Sequence, residues 1–267
     1  MSVSTDLAER PRRSGFARYR QTLWLLTSSD LKVRYSTSKL GYFWSILDPL
    51  VMSGIYFFVF SVVFKRSVGD EPYIVFLLSG LLPWMWFNGA VSDSTRAFIR
   101  EAKLVRSTKI PRTIWVFRLV GSKGIEFTLS LPVLALFAVV GGAHLQWQVV
   151  FFPLAMVMQT VLVAGVGLIV APLVVFFRDL ERATKLALRF AFYASPIIYG
   201  TQDLPESLHL LAAFNPLSGI FGLYRSAFFP EQFDLTEVLV GGGVCVVVLA
   251  VGLLVFRASE RAVLKEI

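Results

Sequence analysis

The sequence VVFFRDLERATKLALRFAFYASPIIYG, residues 174–200, places a short charged stretch between two apolar runs. Five charged residues occur between Arg178 and Lys185, and aliphatic and aromatic residues resume directly afterwards. In a soluble protein this stretch would be an exposed loop between two core helices. In a membrane protein it would be a hairpin turn that just reaches water between two spanning helices. The rest of the sequence decides between these two interpretations.

The overall composition favours the membrane interpretation. Hydrophobic residues make up 55% of the 267 residues and charged residues only 16%, whereas soluble domains usually carry about 25% charged residues. The net charge of +8 comes from basic residues that flank apolar segments, which indicates membrane topology and lipid headgroups rather than nucleic acid. We therefore expect residues 1–267 to form one all-α polytopic membrane domain.

Six segments are long and apolar enough to span a bilayer, which requires about 20 residues of helix. Gly165, Gly167 and Pro172 are candidate weak points in the fourth segment. The six segments are approximately 42–64, 72–92, 113–141, 147–177, 184–200 and 236–256.

The distribution of lysine and arginine predicts the orientation of the spans. Of the 26 basic residues, 21 fall in four segments that six spans place on one side, namely 1–41, 93–112, 178–189 and 257–267. We therefore expect both termini to be cytosolic. The N-terminus is expected to be retained, since no signal-peptide apolar core follows it. Residues 178–185 are then predicted to form a tight cytosolic turn.

The cytosolic segment 16–35 has apolar side chains at helical spacing beside basic ones. This pattern predicts an amphipathic helix that lies in the membrane interface. The alternative is a first helix that packs on a cytosolic partner. The apolar positions are Phe16, Tyr19, Leu23 and Leu26.

The loop 93–112 is predicted to contain a short basic helix. Ser92, Asp93 and Ser94 are candidate N-caps, and Pro111 is expected to end the helix. The helix either fixes topology as a solvated face or docks on a cytosolic subunit. Its basic positions at helical spacing are Arg96, Arg100, Lys103 and Arg106.

The outer segment 201–235 contains two apolar runs that are separated at Asn215-Pro216. Each run is too short to span, which predicts a re-entrant or interfacial helical hairpin. Arg225 lies in the second run, and an ionisable group at that depth is a functional candidate. The alternative is an arginine that extends to the interface.

The chemistry of an enzyme is not evident in the sequence. It contains no phosphate-binding GxxxxGK[ST] motif, its two histidines are far apart, and its single Cys245 lies in an apolar run. Asp48 and Glu126 within the spans are weak support for an ion relay. We therefore expect no catalytic site, no metal site and no cofactor bound by this chain, and a transport pathway whose energy comes from elsewhere.

Four stretches occur in the order typical of one known family: DLKVRYSTSKLGYFWSILDPL (30–50), GLLPWMWFNGAVSDSTRAFIREAKLVRSTKIPR (80–112), FFRDLERATKLALRFAFYASPIIYG (176–200) and FNPLSGIFGLYRSAFF (214–229). Together they resemble the membrane subunits of ABC-2 type exporters of lipid-linked polysaccharides, which include O-antigen, teichoic acid and galactan exporters. Asp48 departs from the asparagine that many members have. The resemblance covers nearly the whole chain.

This resemblance implies a homodimer in the bacterial cytoplasmic membrane that works with two cytosolic ATPase subunits. ATP and Mg²⁺ would bind to those subunits, and the cargo would be a polyprenyl-diphosphate-linked glycan. The segment 93–109 would dock in a cleft of the ATPase. The residues implied in coupling are Arg96, Phe98, Arg100, Lys103, Arg106, Lys109 and Arg112.

Physical chemistry adds candidates for cargo contacts. A diphosphate requires cations near the cytosolic side, and aromatic rings can stack on the CH surfaces of sugars. Packing in the core or against lipid is the alternative for each ring. The cation candidates are Arg18, Arg20, Lys32 and Arg34, and the channel aromatics are Tyr56, Phe57, Phe192 and Tyr193. On the outer hairpin the candidates are Asn215, Pro216 and Arg225.

Two other functions remain possible from the sequence. One is an ABC-2 exporter of a small lipid or drug, although the large outer domains of some such relatives are absent. The other is a secondary carrier that uses no ATPase, which an ATP-hydrolysing partner would rule out.

Overall fold

The computed structural model describes residues 15–36, 43–63 and 72–267. These residues form α-helices with short 3₁₀ and π-helical turns, and no strand occurs among them. The helices are α1 (Gly15–Ser36), α2 (Trp44–Phe57), α3 (Tyr73–Ser94), α4 (Ala102–Ser107), α5 (Ile114–Gly141), α6 (Phe152–Phe176), α7 (Leu180–Ala194), α8 (Glu206–Phe214), α9 (Pro216–Arg225) and α10 (Leu235–Glu266). The predicted all-α class is therefore confirmed.

Helix α3 lies at the centre of the bundle and is buried along most of its length. It contacts α2, α5, α6, α7 and α9. Its side chains are apolar on every side, as expected for a helix enclosed by others. Helix α3 is therefore surrounded by most of the other helices, and the connection to α5 begins at its C-terminal end.

The packing of α6 on α10 depends on two glycines. A Cβ on Gly165 would lie 2.7 Å from the backbone nitrogen of Leu249, and a Cβ on Gly252 would overlap the carbonyl oxygen of Gly165. Small residues let membrane helices approach closely, because dispersion contacts then form along their backbones. Helix α6 is continuous through the predicted weak points Gly165, Gly167 and Pro172. The structure instead places Gly165 in the close contact with α10.

Four of the six predicted spans correspond to helices that are long and apolar enough to cross a membrane. Among the described residues these are Tyr73–Ser94, Ile114–Gly141, Trp147–Phe176 and Leu235–Glu266. They match the predicted second, third, fourth and sixth spans. The chain is therefore a multi-pass membrane protein.

The predicted first span is helical wherever the structure describes it. Helix α2 is followed directly by the π-helical residues Phe58–Val63. The predicted ends at residues 42 and 64 lie outside the described residues. The apolar helical stretch in this region is Leu47–Phe57. Its length is less than the about 20 residues that a bilayer-spanning helix needs.

The predicted fifth span, 184–200, is wrong in its boundaries. Helix α7 begins at Leu180 and ends at Ala194, so its 15 residues extend about 22 Å, less than the ~30 Å of a bilayer core. Ser195 is extended before Pro196, as proline disfavours a helical conformation in its predecessor. The predicted turn through Lys185 is also wrong, since only Arg178 and Asp179 form it and α7 follows at once.

The predicted single basic helix in the loop 93–112 is wrong. Helix α3 continues to Ser94, residues 95–101 form turns, and only Ala102–Ser107 are helical beyond them. The N-caps assigned to Ser92, Asp93 and Ser94 are therefore inside α3. The buried Phe98 packs on Phe256, with ring centroids 6.0 Å apart. This anchor lies within the turns that divide the predicted stripe of basic residues.

The predicted N-terminal helix is present as α1, which packs along α5. Tyr19 Oη lies 3.2 Å from Thr113 Oγ1, and the buried Thr27 faces Gly121. Phe16 and Trp24 are exposed, so α1 buries one side on the bundle and leaves aromatic side chains on another.

The helical hairpin predicted for residues 201–235 is also present, with α8 and α9 meeting at Asn215. Asn215 Oδ1 accepts a hydrogen bond from the backbone nitrogen of Leu217 at 3.1 Å, which caps the N-terminus of α9. Helix α8 is mostly exposed, whereas α9 is buried against α10, α6 and α3.

Candidate functional site

An ion pair connects the turns after α3 to the start of α7. Arg96 Nη2 lies 2.5 Å from Glu181 Oε1, and Lys185 Nζ lies 2.7 Å from the same oxygen. Hydrogen bonds from Arg96 and then from Lys185 lower the pKa of the Glu181 carboxyl to about 2. The carboxylate therefore remains ionised at physiological pH.

A second charged contact surrounds Arg118, which sequence reasoning had used only to count basic residues. Its side chain is buried, with Nη1 3.5 Å from Asp30 and Nη2 3.3 Å from Glu101. Its guanidinium carbon also lies 4.8 Å from the ring centroid of Trp115. Arg118 thus joins α1, α5 and the start of α4. The signal that could have found it is an arginine within an apolar segment.

The residues predicted to couple to an ATPase divide into an exposed set and an anchored set. Arg96 and Phe98 are held by the contacts described above, and Arg112 is half-buried. A cavity of about 660 Å³ lies beside α4 and is lined by Arg100, Lys103 and neighbouring residues. Arg96 is exposed although it is paired, and the other exposed basic residues are Arg100, Lys103, Arg106 and Lys109.

The four predicted diphosphate ligands do not form one cluster. Arg18 and Arg34 are both on α1 but are about 24 Å apart along its axis. Arg34 is engaged by acids, with Nη2 2.8 Å from Asp93 and Nε 3.5 Å from Glu126. Arg18, Arg20 and Lys32 are exposed.

The structure brings several ionisable residues of the spans to one cavity of about 290 Å³ between α1, α2, α3 and α5. Lys123 Nζ lies 2.7 Å from Glu126 Oε2 in this cavity. Sequence reasoning had treated Asp48 and Glu126 as separate acids and had not placed them beside Lys123. The charged residues and tryptophans that line the cavity are Arg34, Trp44, Asp48, Trp86, Lys123 and Glu126.

Three of the four predicted channel aromatics lie together. Phe192 stacks on Tyr56 with ring centroids 5.6 Å apart, and it contacts Tyr193 at 5.1 Å. Trp84, which sequence reasoning missed, meets Phe192 edge-on at 5.5 Å. We call these four residues the aromatic cluster. Phe57 is exposed and follows Tyr56 on α2.

The outer hairpin is fixed to the segment after α7. Arg225 is only 1% exposed, and it donates hydrogen bonds to the carbonyl oxygens of Ile197 at 2.6 Å and Tyr199 at 3.1 Å. Its guanidinium carbon lies 3.7 Å from the ring centroid of Phe76. Asn215 Nδ2 also donates to Ser195 Oγ at 2.9 Å. This enclosure does not fit an arginine that extends to the interface.

Comparison with known proteins places the chain in a family. The ABC-2 type transporter family matches residues 21–229. The chain belongs to the ABC-2 type transporter family. The matched region of this ABC-2 chain includes the loop 93–112, the aromatic cluster and Arg225.

Individual relatives of this ABC-2 chain are similar over most of their length. The O-antigen export system permease protein RfbA of Klebsiella pneumoniae is 34% identical over 237 residues, which cover 88% of this chain and 90% of the relative. A protein of the same name from Myxococcus xanthus is 28% identical over 91% and 94%. The polysialic acid transport protein KpsM of Escherichia coli is 23% identical over 94% and 98%.

Proposed function

We propose that this chain is the membrane subunit of an ATP-driven exporter that moves a polyprenyl-diphosphate-linked polysaccharide across the bacterial cytoplasmic membrane. The observation that carries the proposal is the 34% identity to an O-antigen export permease over about nine-tenths of both chains. The more distant relatives are named for the export of O-antigen and the transport of polysialic acid. A long glycan is the shared class of cargo.

The proposal assigns ATP hydrolysis to a separate partner, so this chain is not itself an enzyme. Two copies of the chain form the passage, with two ATPase subunits and their ATP and Mg²⁺ on the cytosolic side. The exposed basic residues at 100–109 support a docking surface there, because they project from a segment that Phe98 anchors to the bundle. The charge distribution supports cytosolic termini, because six crossings place all four basic segments on one side. The two further crossings would use α2 together with the π-helical residues after it and α7 together with the segment that follows it, since neither helix is long enough alone.

The aromatic cluster supports a glycan as the cargo. Phe192 and Tyr193 project from α7, and Tyr193 is exposed while Phe192 is backed by Tyr56 and Trp84. An exposed ring supported by buried rings offers a rigid apolar face to the CH surface of a sugar. Such a face binds successive residues weakly, which suits a chain that has to slide.

Deletion and complementation test the proposal. The gene is deleted, and surface polysaccharide is measured after restoring either the wild-type chain with its ATPase or the chain with an ATPase variant that cannot hydrolyse ATP. We expect surface polysaccharide only with the active pair, and accumulation of the lipid-linked glycan inside the cell otherwise. Export without an active ATPase would favour a secondary carrier, and an unchanged surface glycan after deletion would reject the function.

A further inference from the structure

Three ionisable side chains converge where the N-terminal helix α1 meets the bundle. Asp48 comes from α2, and Lys123 and Glu126 come from α5, and all three line the cavity of about 290 Å³. Lys123 is about 14 Å along α5 from its first residue, well inside a 28-residue helix. Ionisable residues in membrane-spanning segments mark binding sites and pathways more often than they serve packing.

The charges of this cavity do not suit a diphosphate. Both cations are already occupied by carboxylates, because Lys123 pairs with Glu126 at 2.7 Å and Arg34 pairs with Asp93 at 2.8 Å. Asp48 adds a further carboxylate at the exposed edge of the cavity. A polyanion needs cations that outnumber the nearby acids, so a neutral ligand fits this lining better.

The remaining lining suits a sugar ring. Trp44 is 40% exposed at the edge of the cavity, whereas Trp86 is buried and donates its indole N–H to the carbonyl oxygen of Val120 at 3.2 Å. Indole faces pack on apolar CH surfaces, and ionised carboxylates accept hydrogen bonds from hydroxyl groups. Tryptophans combined with Asp48 and Glu126 therefore match both surfaces of a pyranose.

The cavity and the aromatic cluster share helix α2. Trp44, Asp48, Met52 and Tyr56 follow one another at four-residue spacing and form one row along α2. Tyr56 is about 18 Å along the helix axis from Trp44. At that end it stacks on Phe192, so α2 carries residues of both the cavity and the rings proposed to contact the glycan. The row winds about 120° around the helix between Trp44 and Tyr56, because four residues exceed one helical turn.

We propose that this cavity binds one neutral sugar residue of the exported glycan, with Trp44 against the ring and Asp48 accepting hydrogen bonds from its hydroxyl groups. The proposal rests on the proposed function. The volume is at the lower limit of the ~300–1,000 Å³ typical of small-molecule sites, which leaves room for one ring rather than for a length of chain. Trp44 and Asp48 are thus residues that select the cargo before it reaches the aromatic cluster.

Saturation-transfer difference NMR on the full-length chain in complex with its ATPase tests this site. The probes are free glucose, galactose, mannose and N-acetylglucosamine at millimolar concentration, with inorganic pyrophosphate as competitor. We expect transfer to at least one sugar, about tenfold weaker binding in Trp44→Ala and Asp48→Asn, and partial retention in Trp44→Phe. A tenfold loss corresponds to about 1.4 kcal/mol. The matched controls are Trp24→Ala and Asp179→Asn, whose exposed side chains do not line the cavity.

Three results would overturn the site. The first is the absence of saturation transfer to all four sugars. The second is saturation transfer that Trp44→Ala and Asp48→Asn leave unchanged. The third is displacement of the bound sugar by pyrophosphate. Export in complemented cells separates this failure from failure of the proposed function. If the wild-type chain and both variants export at equal rates, the function stands and the site is rejected. If the wild-type chain with an active ATPase exports nothing, the function itself is rejected.

Discussion

Arg96 Nη2 lies 2.5 Å from Glu181 Oε1, and this pair joins the turns after α3 to the first turn of α7. Phe192 of the aromatic cluster is about 17 Å further along the same helix. A displacement of the coupling loop therefore reaches the proposed glycan-contacting rings through one ion pair and one helix. In the proposed exporter this pair is one direct connection between the exposed basic surface and the cargo.

Charge exchange tests this route. We expect Arg96→Glu and Glu181→Arg each to lower ATP-driven export by about fivefold or more, the lower end of typical coupling between sites. The double variant should recover most of the loss, because the pair is restored with reversed polarity. Exposed ion pairs contribute little to stability, so folding should be nearly unchanged. Arg182→Glu, an exposed neighbour on α7, is the control, and a double variant no better than either single variant contradicts the route.

The pH dependence of this pair follows from the lowered pKa of Glu181. That pKa is about 2 in the folded chain, against an ordinary value of 4.5. The contribution of the pair is therefore present above about pH 4.5 and is lost only as the pH falls toward about 2. We expect the ratio of wild-type to Glu181→Gln export to stay constant between about pH 5 and 8. A ratio that approaches one as the pH falls from 8 to 5 would contradict this assignment.

Loss of Arg118 should destabilise the fold more than loss of an exposed arginine. Removing one partner of a buried ion pair costs about 3–5 kcal/mol. Asp30 and Glu101 are 21% and 29% exposed, which reduces the expected cost to about 2–3 kcal/mol. Thermal unfolding of the purified chain should show a midpoint several degrees lower for Arg118→Met, with a smaller decrease for Arg118→Lys. Arg182→Ala serves as the control, and equal midpoints for Arg118→Met and this control would refute the prediction.

Reversal of the exposed basic surface should separate ATP hydrolysis from export. The triple variant Arg100→Glu, Lys103→Glu and Arg106→Glu leaves the Phe98 anchor intact, so the chain should fold and insert. We expect the ATPase to lose its association with the chain, and export in reconstituted vesicles to stop. The matched triple on the exposed face at the end of α10, Arg257→Glu, Arg261→Glu and Lys265→Glu, carries the same charge change. Unchanged association in the first triple would reject the docking surface.

Helix packing between α6 and α10 predicts a position-specific cost for alanine. In Gly252→Ala the new Cβ would overlap the carbonyl oxygen of Gly165, and overpacking typically costs about 1–3 kcal/mol. Gly243→Ala is on the same helix, and its Cβ would meet nothing within 4 Å. We expect a lower unfolding midpoint for the first variant and no decrease for the second. Equal midpoints would show that the helices separate to accept the methyl group.

The long spans could be predicted from the length of their apolar runs. The division between α8 and α9 could be predicted from Asn215-Pro216. Both signals are local properties of the chain. The boundaries of α7 and of the coupling loop did not follow. In α7 the carboxylate of Glu181 pairs with Lys185 on the same helix and with Arg96, whose contact is 85 residues apart in sequence. In the loop, the tertiary contact of Phe98 with Phe256 lies where α3 gives way to turns. The cavity around Asp48, Lys123 and Glu126 was likewise hidden, since its members come from different helices.

The enclosure of Arg225 has a consequence for how the outer end can widen. Its guanidinium is bonded to the carbonyls of Ile197 and Tyr199 and covers the ring of Phe76. These contacts hold the backbone after α7 to α9 and α3. We therefore expect the three segments to move together as one rigid unit. Helix α8 is mostly exposed, so we expect a rearrangement at this end to displace α8 more than α9.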